Sequence, residues 1–107
     1  MSSKLIITDK ALDCLENISY YIAKETGQKE IAEKFVADIV SKCSRLNNFP
    51  EIGALPKEKN LRKNGYRFLV HKSYLIFYIY DKSSDTVSVI AVFNAKCDYN
   101  LVMEKYL

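Results

Sequence analysis

Tyr66-Arg67-Phe68-Leu69-Val70-His71-Lys72-Ser73-Tyr74-Leu75-Ile76-Phe77-Tyr78-Ile79-Tyr80 reads as two β-strands and the tight turn between them. Tyr66, Phe68 and Val70 alternate with Arg67, Leu69 and His71, the period-two pattern of a strand whose two faces differ. From Tyr74 to Tyr80 both faces are apolar, which marks a central strand covered by helices on one side and partly covered on the other. Asp81-Lys82-Ser83-Ser84-Asp85 is turn chemistry, and Thr86 to Phe93 forms a third strand rich in valine. Strands this closely joined must run antiparallel. Asn94-Ala95-Lys96-Cys97-Asp98-Tyr99 then leaves the sheet edge, and Leu101 to Leu107 suits a short last helix.

Upstream of this block the period changes to that of helices. Lys4 to Ile7 is a short strand, followed by Thr8 as a helix N-cap with Asp9 in the first turn. Ala11, Leu12, Leu15, Ile18 and Ile22 then share one helical face, and Gly27 is the expected stop. Ala32, Phe35, Val36, Ile39, Val40, Cys43 and Leu46 make a second apolar face, and Phe49-Pro50 ends that helix. Glu30 with Lys34, and Asp38 with Lys42, stand as i,i+4 pairs in the favourable order. Glu51 to Asn64 shows no clean period and reads as irregular. The expected fold is α+β: an N-terminal strand, a long antiparallel helix hairpin packed on a mostly antiparallel three- to four-stranded sheet, and a short C-terminal helix. At 107 residues this is a single domain, residues 1–107.

Composition removes several classes of function. An apolar share of 49% with 27% charged residues is that of a globular chain and not of a disordered one. The longest apolar run is seven residues, against the roughly 20 that span a bilayer, so no membrane association is expected. The start of the chain lacks the pattern of a signal peptide, and the expected location is the cytosol. Cys14, Cys43 and Cys97 are an odd, scattered set, expected as core thiols plus one near the surface. With three glycines, one histidine and no clustered ligands, no phosphate-cradling loop, metal centre or other cofactor is expected.

The net charge of +3 is unevenly spread. Lys57, Lys59, Arg62, Lys63, Arg67 and Lys72 face a single acid, Glu58, giving a block of +5 in a chain that is otherwise acidic. Such a block, with His71 inside it, either attracts a polyanion or an acidic protein segment, or is a solvated loop. Arg67, His71, Lys96 and Tyr99 would converge if consecutive hairpins bring the strand ends together. Cations beside a phenol hold a phosphodiester and steady charge in phosphoryl transfer. The alternative is that Tyr99 packs on the sheet and Lys96 is simply solvated.

Several segments, taken in order, resemble the RelE/ParE toxins of bacterial type II toxin–antitoxin systems. They are Ala11-Leu12-x-x-Leu15-x-x-Ile18-x-x-Tyr21-Ile22, Phe49-Pro50-Glu51-Ile52-Gly53, Gly65 to Val70, Tyr74 to Tyr78 and Val92 to Tyr99. The likeness spans residues 4 to 103. It implies a growth-inhibiting toxin neutralised by a cognate antitoxin, with which it forms a hetero-oligomer. Two activities occur in this family: RelE-like members cleave messenger RNA on the ribosome, and ParE-like members poison DNA gyrase. The RelE-like pattern is poorly matched here. Ser73 or Tyr74 stands where such enzymes often carry an Arg, and the closing motif, often His-x-Arg-Arg-Asp-Tyr in ParE-like and related members, reads Asn94-Ala95-Lys96-Cys97-Asp98-Tyr99. Lysine keeps the charge but not the bidentate phosphate geometry, and cysteine keeps neither. The resemblance therefore favours the ParE-like branch, with gyrase as target and no catalysis of its own. In that reading Lys57, Lys59, Arg62, Lys63, Arg67 and His71 bind the target or antitoxin. The alternative is a ribosome-dependent endoribonuclease whose catalytic residues are Arg67, Lys96 and Tyr99, or a degenerate member that binds antitoxin without toxicity.

Overall fold

A central antiparallel pair organises the computed structural model, which describes residues 3–104, and of Tyr99, Asn100 and Glu104 the backbone alone. Strands β2 (Tyr66–His71) and β3 (Tyr74–Asp81) pair from Tyr66↔Ile79 to His71↔Tyr74. Strand β4 (Thr86–Asn94) lies on the other side of β3, from Tyr74↔Asn94 to Asp81↔Thr86. A register shift falls between Phe77 and Tyr78, where Ile90 is left as the extra residue of a β-bulge. Strand β1 (Lys4–Ile7) completes the sheet by running parallel to β4, Lys4 opposite Thr86, so the order is β1-β4-β3-β2.

A parallel pair needs a long crossover, and the helix hairpin supplies it. Helix α1 (Asp9–Thr26) begins where the sequence places it. Thr8 Oγ1 accepts from the Ala11 N–H at 3.2 Å and donates to the Val89 carbonyl at 2.7 Å, which ties the helix start to β4. Gly27 closes it at φ 70°, a left-handed conformation that favours glycine. Helix α2 (Lys29–Cys43) stops earlier than its apolar repeat suggests, because the Ser44 hydroxyl bonds the Ser41 carbonyl at 2.6 Å and the chain tightens into a 3₁₀ turn over Ser44–Asn47. Leu46, the last apolar residue of the repeat, is still buried. The ion pairs fall differently from the sequence reading: Lys29 meets Glu33 at 3.8 Å, and Lys34 reaches forward to Asp38 at 3.3 Å. Exposed pairs of this kind contribute only about 0.2–0.5 kcal/mol, so little stability depends on the choice.

Two apolar layers sandwich the sheet. Ala11, Leu15 and Ile18 of α1 pack with Ile39 and Cys43 of α2 onto Leu69, Ile76, Tyr78, Val87, Val89 and Val92. Burial pushes the pKa of the Cys43 thiol up to about 11, Cys14 is half-buried and Cys97 is exposed, which matches the expected core thiols with one near the surface. The opposite face carries Leu75 and Phe77, covered by Leu61 and Met103. Phe77 stacks on Phe93 at 5.4 Å and meets Phe68 at the same distance. Leu61 belongs to α3 (Lys59–Lys63) and Met103 to α4 (Tyr99–Glu104). Helix α3 lies inside the stretch read as irregular, because five residues with one buried anchor are too few to display a period. Its start is capped by the Glu58 carboxylate, which accepts from the Asn60 N–H at 3.2 Å.

Candidate functional site

The open edge of β2 is partly covered by the segment after the 3₁₀ turn. Ala54 exchanges two backbone hydrogen bonds with Phe68, at 2.8 and 3.0 Å, so the loop adds one rung to the sheet. Gly53 then passes directly over the buried Tyr78, whose Oη accepts from the Gly53 N–H at 2.9 Å. Arg67 locks the same loop: its Nη1 donates to the Glu51 carbonyl at 3.1 Å and to the Gly53 carbonyl at 2.9 Å. The Glu51 carboxylate lies between Arg67 Nη2 and Lys82 Nζ, each at 3.7 Å. The planar fork of Arg67 is thereby engaged with two carbonyls and a carboxylate. It acts as a clamp on the loop, and its first nitrogen is not free to take a phosphate.

The register separates the other candidates. Arg67 stands opposite Tyr78, four residues along β2 from the rung that joins His71, Tyr74 and Asn94. At about 3.3 Å per residue this is ~13 Å. His71 and Lys96 therefore share one end of the sheet, and Arg67 stands apart from them. Lys96 is exposed, on a turn held by its own N–H to Asn94 Oδ1 at 2.9 Å and by the Ala95 N–H to the Ser73 carbonyl at 2.7 Å. Asn94 thus organises the turn, a task suited to a short amide. The Tyr99 side chain lies outside the described residues.

His71 packs against α2, apart from the α3 cations of the basic block. Its ring meets Phe35 edge-on at 5.4 Å, and Nε2 is out of solvent contact with no hydrogen-bond partner. Desolvation first, then the nearby Lys42 and Lys72 charges, lower its pKa from the usual 6.5, and Asp38 opposes them. Folding therefore favours the neutral imidazole, and the unfolded chain takes up the His71 proton at higher pH than the folded one. Its contribution is complete above the unfolded pKa and is lost as pH falls through the folded one. The melting temperature is expected to fall between pH 7 and 5.5, and to fall less in His71→Phe; equal slopes for both proteins would contradict this burial.

Of the sequence-predicted basic residues, Lys57, Lys59, Arg62 and Lys63 face solvent, the last three on α3, on the sheet face opposite the helix hairpin. The hairpin carries a different feature: a groove of about 500 Å³ between α1 and α2, floored by Leu12, Leu15, Val36 and Val40 and rimmed by Glu16 and Glu33. The periodicity placed Leu12 and Val40 on the apolar faces of their helices, and both remain substantially exposed there. Among the described residues no cluster of side chains has the make-up of a metal site, and no helix is long and apolar enough to cross a membrane.

The family model described as the ParE toxin of the type II toxin–antitoxin system, parDE, matches residues 5–99. The chain belongs to the ParE toxin family. No curated protein matches it in sequence. Solved structures share its fold. The chromosomal ParDE system of P. aeruginosa is 21% identical, with a TM-score of 0.71 over 87% of this chain and 96% of that one. The RelBE2 toxin–antitoxin complex of Mycobacterium tuberculosis is 16% identical, with a TM-score of 0.66 over 88% and 99%. A doubly substituted E. coli RelE in the free state is 17% identical, with a TM-score of 0.63 over the whole of both chains. At such identities these likenesses speak for the fold. In this ParE-family toxin Arg67 is engaged with the chain's own loop.

Proposed function

We propose that this toxin arrests bacterial growth by binding and poisoning DNA gyrase, without catalysis of its own, and that a cognate antitoxin neutralises it as a hetero-oligomer. The observation that carries this reading is the engagement of Arg67 with the Glu51 and Gly53 carbonyls. A ribosome-dependent nuclease must present cations around one scissile phosphate. Here Arg67 stands four residues along β2 from the end of the sheet that carries Lys96, and it clamps a loop. A poison that works by surface complementarity has no such requirement.

The two surfaces open to an antitoxin differ in sign. The α1–α2 groove is apolar with carboxylates on its rim, and α3 presents Lys59, Arg62 and Lys63. An antitoxin that covers both has an apolar helix with basic flanks for the groove and an acidic stretch for α3, joined around the sheet edge.

Inducing the toxin while following plasmid supercoiling and transcript integrity in the same cells tests the reading. Supercoiling is expected to change with transcripts intact, and Lys96→Ala and Tyr99→Phe are expected to keep most of the growth inhibition. Codon-positioned cleavage that disappears in Tyr99→Phe favours the nuclease. Absence of any arrest favours a degenerate, antitoxin-binding member.

A further inference from the structure

The loop clamped by Arg67 presents three large apolar side chains to solvent: Phe49 is 61% exposed, Ile52 48% and Leu55 57%. They do not project because the loop is loose. Gly53 is fixed between them by Tyr78 and Arg67, and Ala54 by Phe68. Phe49 and Ile52, with Arg45 and Asn48, also line a hollow of about 410 Å³. A rigid apolar patch of this kind on a small protein marks a binding surface. The backbone that carries them is preorganised, so little loop-ordering entropy opposes docking.

Charge identifies the kind of occupant. Between Arg45 and Lys63 lie five cations and two carboxylates, and both carboxylates are already engaged, Glu51 with Arg67 and Lys82, Glu58 with the start of α3. A second copy meeting the patch face to face would bring the same cations against them, and one offering its α1–α2 groove would make the purified toxin self-associate, which sedimentation detects and which would overturn the inference below. Nucleic acid would suit the cations, but only Phe49 of the three offers a ring on which a base could stack, and the aliphatic Ile52 and Leu55 call for an apolar pocket instead. An acidic protein surface with an apolar pocket meets both features.

We infer that Phe49, Ile52 and Leu55 are the anchor by which the toxin grips its target protein, inserting into an apolar pocket ringed by carboxylates that Arg45 and Lys57 meet. The inference rests on the proposal that the toxin acts by binding a protein. It is tested with full-length Phe49→Ser and the triple Phe49→Ser/Ile52→Ser/Leu55→Ser variant, with Tyr20→Ser as an exposed aromatic control on α1. Three quantities are measured: inhibition of purified gyrase, growth arrest, and affinity for the antitoxin.

The single variant is expected to weaken gyrase inhibition at least about tenfold and the triple at least about a hundredfold. Antitoxin affinity and melting temperature stay near the wild-type values, and Tyr20→Ser inhibits normally. Undiminished gyrase inhibition by the triple variant overturns the inference, as does a matching loss of antitoxin affinity. If wild-type protein leaves gyrase untouched, the gyrase proposal fails by itself, and growth arrest decides the anchor. Arrest abolished in the triple variant with transcripts intact in the wild type then supports it, whereas arrest that persists, or proceeds through cut transcripts, overturns it.

Discussion

Gly53→Val is expected to lower the melting temperature by about 12–20 °C. A Cβ at residue 53 would stand 2.6 Å from Tyr78 Oη, 2.7 Å from its Cε1 and 3.0 Å from the Phe68 carbonyl. Tyr78 is fully buried beneath the helix hairpin and has no space into which to withdraw. The side chain must therefore push the loop off the sheet, which breaks the hydrogen bond from the Gly53 N–H and strains the rung at Ala54. Overpacking and a lost buried hydrogen bond each cost about 1–3 kcal/mol. Thermal unfolding followed by circular dichroism measures the result. A drop below about 3 °C would mean that the loop lifts away without disturbing the core.

Arg67→Ala carries the second large effect. Removing the guanidinium leaves the Glu51 and Gly53 carbonyls without their donor, for a loss of about 1–2 kcal/mol and about 5–12 °C in melting temperature. Growth inhibition is expected to fall at least about tenfold, because the apolar anchor loses its preorganisation. Arg67→Lys should restore little, since one ammonium cannot reproduce the planar fork. The melting curve separates this from a role in phosphoryl transfer: a nuclease residue would lose activity with stability unchanged, whereas a clamp loses both together.

The strands, the helix hairpin and its Thr8 and Gly27 boundaries were readable because each rests on local chemistry. Period-two alternation, a hydroxyl N-cap and a left-handed glycine act within a few residues. The pairing of β1 with β4 was not readable, because Lys4 and Thr86 are joined only through the whole fold. Helix α3 escaped for lack of length. In the candidate site, composition found the cations but not their engagements. Arg67 looked like a phosphate ligand until the Glu51–Gly53 carbonyls were placed beside it, and His71 looked like part of the basic block until Phe35 covered it. Phe49 and Ile52 were quoted for their motif, while their exposure depends on the loop that Gly53 and Tyr78 hold.

The parallel seam between β1 and β4 also sets a clock on the making of this toxin. Lys4 cannot find Thr86 until about 80 further residues have been added, on the order of 4–16 s at bacterial-to-eukaryotic elongation rates of about 5–20 residues per second. From Cys43 onward, about half of that interval, the α1–α2 hairpin exists as chain while β4, the strand that joins β1 to the rest of the sheet, is still to be made. Each newly made molecule thus passes through a stage in which its groove-forming segments precede its finished inhibitory surface. An antitoxin able to recognise that early half has a head start on the target, written into the order of translation.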